Sequence, residues 1–375
     1  YNPVSEHREK GQIIWKLSGL GKVSEKLILI PEEKLIILSG SKIYCINLQG
    51  ELLWEAKTAS GKMGNPVVAE NGSIYTAGKG QVIETKINGA RGWSFTVLPG
   101  GKDKEPQMAG GSGDLIYLPL PYALYALDTS GHSVWAFSPW DSCDRLTTKT
   151  PGKRSFLACA ADEQSFYTAY ADEKGSYRIV AIDSKATKLW NNWLGDIIDV
   201  HILPGGQDKD YVTATFKPSK RMGRGKSSSA KLNQGRIYCF DRNTGKELWQ
   251  YKVKISNTLT EPVLYGNWLY VTGGSKCYLL DANNGTLKWE NRLLDLASPP
   301  GVDESSGRLY AGSSEGTLYA VNSSGRLDWS RQLEGAIYQA PLLGPDGYIY
   351  VCTQKGSLYK IRDNANPKFS VQPVK

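Results

Sequence analysis

The side chains best suited to metal binding or nucleophilic attack are few in this chain and poorly spaced for either. There are three histidines, His7, His132 and His201, and six cysteines, Cys45, Cys143, Cys159, Cys239, Cys277 and Cys352. They do not recur at the short spacings that gather zinc ligands, and no acidic loop has the calcium-binding pattern of an EF-hand. Glycine is abundant, at 40 residues, but it falls mainly at turns. No glycine-rich loop leads into a helix, as phosphate binding requires. One catalytic arrangement stays open: carboxylates from distant parts of the chain that meet in three dimensions.

Two stretches carry more distinctive surface chemistry. Residues 217–231 hold Lys217, Lys220, Arg221, Arg224, Lys226 and Lys231, no acidic residue, and a Gly/Ser-rich remainder too poor in apolar groups to pack. In a chain of formal net charge +8, this segment is the expected docking point for a membrane surface, an acidic wall polymer or an acidic protein. Nucleic acid is not an expected partner, because aromatic residues for base stacking are not interleaved. The plainer reading is a solvated hairpin extension. Residues 136–153 bring Trp140, Asp141 and Arg145 together, an aromatic among charges, and form a second expected partner-binding loop.

What must carry these loops is a repeat. Trp15, Trp54, Trp93, Trp135, Trp190, Trp249, Trp289 and Trp329 follow one another at intervals of 39, 39, 42, 55, 59, 40 and 40 residues, and Phe369 continues the beat. Each tryptophan ends a strand–turn–strand unit such as Ile237 to Trp249 or Cys277 to Trp289. Apolar β-formers precede an Asp or Asn that opens the turn, and a glycine supplies positive φ four residues before the indole. Short strands such as Leu269-Tyr270-Val271 and Leu309-Tyr310-Ala311 come earlier in each unit, after a further strand opening near a proline, as in Pro262-Val263-Leu264. Four strands in about 40 residues is the mark of a propeller blade. No segment has a helical period.

The units predict an all-β fold: an eight-bladed propeller of four-stranded antiparallel blades. Residues 1–10 read as an N-terminal linker, and residues 11–375 as one domain. The opening strand around Trp15 lacks a blade of its own and is expected to complete the last one, in preference to the strand around Phe369. The tryptophans are expected in the core, where each would remove about 150–250 Å² from water. Cys45 and Cys239 share a repeat position with Ala126 and Ala320 and read as small core residues. Cys143 and Cys159 are a possible pair across an insertion. No apolar run approaches the roughly 20 residues of a membrane helix.

The pattern resembles the pyrroloquinoline-quinone-like β-propeller repeat, whose Asp-x-x-x-Gly-x-x-x-Trp motif is matched best by Asp241 to Trp249 and Asp281 to Trp289. The resemblance covers nearly the whole chain and is specific for fold, weak for function. The quinoprotein dehydrogenases, with their quinone and calcium, share the repeat with non-enzymatic propellers such as the outer-membrane assembly lipoprotein BamB. The dehydrogenases carry adjacent cysteines against the cofactor, which this chain lacks, and longer loops over the ring. The expectation is therefore a non-enzymatic, monomeric scaffold with no catalytic residue, metal or cofactor, which binds protein or anionic cell-envelope partners. The resemblance places it outside the bacterial cytoplasm, in the periplasm or at the cell surface, with a lipid anchor on a preceding segment. The alternatives are a dehydrogenase using pyrroloquinoline quinone and calcium, and the ligand-sensing ectodomain of a larger receptor.

Overall fold

A computed structural model describes residues 10–23, 26–58, 66–69, 71–78, 81–96, 109–110, 115–119, 123–138, 156–162, 165–172, 176–205, 208–216 and 232–366. Among them every regular element is a strand, and the strands form eight four-stranded antiparallel sheets. Seven are built from consecutive strands and span residues 28–57, 67–96, 109–137, 156–195, 197–255, 263–292 and 301–332. The eighth takes three strands from residues 342–362 and its outermost strand from Gln12–Leu17, which pairs antiparallel with Leu358–Arg362. The opening strand therefore completes the last blade, as its intact Gly–Trp pattern implies. Phe369 lies outside the described residues.

One row of side chains recurs across every blade. The second-strand residue is a tyrosine in seven blades (Tyr75, Tyr117, Tyr167, Tyr211, Tyr270, Tyr310 and Tyr350), each at most 3% exposed, and Ile36 in the first. Its third-strand partner is often small: Cys45, Ala126, Ala181, Cys239 and Ala320 sit directly opposite the repeat tryptophan. A small residue in the middle lets the rings on either side approach. The centroids are 5.7 Å apart for Tyr117 and Trp135, 6.1 Å for Tyr211 and Trp249, and 6.3 Å for Tyr310 and Trp329. This is the physical reason for alanine or cysteine at that repeat position, and burial raises the Cys45 and Cys239 thiols to about 11 and about 12.

The tryptophans differ from expectation. Trp190 and Trp329 are 6% exposed, but the other six are only half-buried. The true core is the tyrosine row and the aliphatic residues around it, grouped in clusters between neighbouring blades. Blades diverge as they leave the axis, so a side chain on the fourth strand is covered on one face by the next blade and wetted at its edge.

Candidate functional site

In an antiparallel meander alternate connections share an end, so each blade offers two kinds of surface. The first-to-second and third-to-fourth turns lie on one face of the ring. The second-to-third loops and the links between blades lie on the other.

The turn face is occupied by blade-to-blade docking. Except for Trp135, each tryptophan lies over the turn glycine of the following blade, as Trp15 over Gly50, Trp93 over Gly131, Trp249 over Gly285, Trp289 over Gly325 and Trp329 over Gly11. These glycines have φ between +71° and +91°, and an added Cβ would meet the indole at 2.5 to 3.1 Å. The indole N–H then donates to a carbonyl in the same turn, for example Trp93 to Thr129 at 2.6 Å and Trp249 to Ala282 at 3.1 Å. The second-strand tyrosine grips the same atom, a contact that the repeat pattern alone does not announce. Tyr211 Oη donates to the Ala282 carbonyl at 3.2 Å, and Tyr350 Oη to the Leu48 carbonyl at 3.4 Å, which also accepts from Trp15. The recurring Leu-Tyr-Val strand was the available signal. In the fourth blade Ala186 takes the glycine's place with φ +67°, and Trp135 donates to Ser184 beside it at 2.9 Å.

Three of these junctions also bury charge. At the closing junction the acceptor is a carboxylate: Asp363, 1% exposed, takes hydrogen bonds from Trp329 Nε1 (2.7 Å), Tyr310 Oη (2.9 Å) and Arg308 Nε (2.9 Å). Lys360 reaches Asp346 at 2.7 Å and the Leu48 carbonyl at 3.0 Å, tying the eighth blade to the first. Between the fourth and fifth blades, Arg242 holds Asp162 at 2.5 Å and Asp210 at 3.1 Å. Burial raises the Asp210 carboxyl to about 6 against the lowering pull of Arg242. These groups all serve packing. A cavity of about 620 Å³ opens nearby between the first strands of the seventh and eighth blades, walled by Val302, Asp303, Leu342, Leu343 and Asn366. Asp303 is engaged by Ser305, Ser306 and Asn366.

The channel carries a separate polar layer. Ile28, Leu203 and Val263 pair with Ile36, Tyr211 and Tyr270 and so stand at one level of the ring. Two residues earlier along the chain come Lys26, His201 and Glu261, the first and last just before their strands begin, hence one shared level nearer the loop face. Lys26 forms an ion pair with Glu261. His201 Nε2 is 3.4 Å from Asp199 Oδ2, with both side chains about one-third exposed. Among the described residues no group of three or more His, Cys, Asp or Glu side chains is placed to hold a metal ion. Cys45, Cys159, Cys239, Cys277 and Cys352 are free thiols. Among the described residues no two cysteines are joined.

Lys217, Lys220, Arg221, Arg224, Lys226 and Lys231, and likewise Trp140, Asp141 and Arg145, lie outside the described residues, as does Cys143. The strand ends that flank them are described. Phe216 ends a second strand and Asn233 opens a third, while Phe137 ends a fourth strand and Phe156 opens the next blade. The strand ends that flank both insertions therefore lie on the loop face. No described helix is long and apolar enough to cross a membrane.

The sequence matches the model of a family described as the outer membrane protein assembly factor BamB, over residues 4–191, 233–305 and 295–372. Among curated proteins none matches significantly. Similar solved structures include BamB from Moraxella catarrhalis, at 15% identity, 94% of this chain, 99% of that one and a TM-score of 0.63. A Dos1 propeller aligns at 10% identity over 94% and 95% of the two chains with a TM-score of 0.72. A europium-containing methanol dehydrogenase aligns at 16% identity over 91% and 84% with a TM-score of 0.61. At such identities the likeness fixes the fold, and enzyme and assembly factor share it.

Proposed function

We propose, for a chain that belongs to the BamB family of repeat propellers, that it acts as a non-enzymatic docking scaffold outside the cytoplasm. The family's description names an assembly factor of the outer membrane, and that setting fits a ring that offers loops between its strands. The observation that carries the reading is the division of labour between faces. Indoles, tyrosines and buried ion pairs fill the turn face. The strand ends bearing both sequence insertions belong to the opposite face, which is left for recognition.

The segment 217–231, which the sequence inserts between two strand ends of that face, carries six cations without an anion, which suits an acidic protein surface or an anionic envelope polymer or lipid. The test is the triple variant Lys220→Ser, Arg221→Ser, Arg224→Ser, with binding to vesicles of phosphatidylglycerol and phosphatidylcholine followed by sedimentation. Exposed positions shift stability by within about 0.5 kcal/mol, so the fold should be unchanged while binding weakens and its salt dependence flattens. Binding equal to the parent's would remove the segment from the recognition surface.

A further inference from the structure

Lys26 and Glu261 belong to the first and sixth blades, which are not neighbours; the seventh and eighth lie between them on the shorter way round. Ion pairs elsewhere in the ring, such as Arg308–Asp363 and Arg242–Asp162, join adjacent blades across packed faces. A contact between the first and sixth has to pass over the axis. Both residues stand two positions before the start of an innermost strand, Ile28–Ile30 and Val263–Tyr265, and so at the loop-face end of the channel.

The backbone near each residue is fixed. Val23 bridges to Ser39 and is 5% exposed, and Leu27 is 7% exposed, so Lys26 leaves from an anchored segment. Thr260 donates its amide to the Thr272 carbonyl at 2.9 Å, and its own carbonyl accepts from Thr213 Oγ1 at 2.9 Å. Thr213 lies opposite His201 in the register, which sets His201 and Asp199 beside Glu261 at the same mouth. The two charged heads keep 38% and 30% exposure. They are held from both sides yet remain reachable from the loop face.

We propose that the Lys26–Glu261 pair is a removable bolt across the loop-face mouth of the channel, limiting access to the Ile28, Leu203 and Val263 level behind it. A ligand or partner bearing a carboxylate or phosphate for Lys26, or an ammonium for Glu261, would open it by exchange. The inference does not depend on the scaffold reading, since an enzyme could use the same bolt.

The test is the rate at which N-ethylmaleimide labels a cysteine placed behind the pair. Leu203→Cys in a Cys143→Ser background is the reporter, with Val263→Cys as a second should the first misfold. Lys26→Ala and Glu261→Ala should each raise the labelling rate about two- to fivefold, the range expected for losing one partly exposed ion pair. The charge swap Lys26→Glu with Glu261→Lys should bring it back to the parent rate. Thermal midpoints should stay together, which separates channel opening from unfolding. Equal rates in parent and single variants, whether all fast or all slow, would overturn the bolt, as would a swap no slower than the single variants. None of these results touches the binding of the 217–231 segment.

Discussion

Gly285→Ala against Gly266→Ala measures how much of the ring is held by indoles seated on glycine. Both glycines have positive φ, +73° and +53°, so both alanines incur the left-handed penalty of about 1–2 kcal/mol. The smaller entropy of the unfolded alanine chain offsets about 0.4–1 kcal/mol of this in each. Only the environment differs. At Gly285 the new methyl would sit 2.5 Å from Trp249 Cε3, whereas at Gly266 nothing lies within 4 Å. Trp249 must then lift away, losing its 3.1 Å bond to Ala282, worth about 0.5–1.5 kcal/mol. Uncovering some 100 Å² of indole adds about 2.5 kcal/mol. The sum is about 3–5 kcal/mol for Gly285→Ala and about 0.5–1.5 kcal/mol for Gly266→Ala, read as urea midpoints with unchanged slopes. With Trp249→Ala already present, the Gly285→Ala effect should shrink to that of Gly266→Ala. Equal single-variant losses would refute the idea that indole–glycine seating holds neighbouring blades.

Three further outcomes follow from the geometry. Ala186→Gly in the fourth blade relieves φ +67° and should raise stability by up to about 1 kcal/mol in the same urea assay; a loss would contradict the strain. The Asp210 carboxyl has a folded pKa of about 6 against 3.8 for the free group, so the folded state holds the extra proton between them. Stability should accordingly fall as pH rises from about 4 to about 6, and Asp210→Asn should abolish that component; identical pH profiles would refute it. Asp363→Asn keeps an acceptor for Trp329 but leaves the buried Arg308 half-paired, a loss of about 3–5 kcal/mol. A loss under 1 kcal/mol in denaturation would mean the closing junction does not rest on that charge.

Much of the ring was legible because turns and indoles are local signals. Asp241, Gly245 and Trp249 announce a strand, a turn and a strand within nine residues, and the spare copy around Trp15 announces the closure. The degree of indole burial was not legible, since it depends on how far blades diverge at the fourth strand. The tyrosine clamp hid behind an ordinary β-strand composition: Tyr211 and Trp249 are far apart in sequence, and only the neighbouring blade makes Ala282 their common acceptor. Asp363 and Arg308 lie 55 residues apart, and no local signal joins them. The channel layer was beyond reach altogether. Lys26, His201 and Glu261 share no motif, and their common level comes from strand register alone. The basic segment was visible from composition, while the loop-face position of the strand ends that flank it needed the order of strands in the fifth blade.

The central functional claim is that this ring binds partners without performing redox chemistry. Its most direct test is to titrate the purified protein with pyrroloquinoline quinone and calcium, then follow reduction of an artificial electron acceptor with a panel of primary alcohols and sugars. The account predicts no saturable quinone binding and no substrate-dependent dye reduction. Stoichiometric quinone uptake accompanied by alcohol- or sugar-dependent reduction would contradict it while leaving the eight-bladed architecture intact.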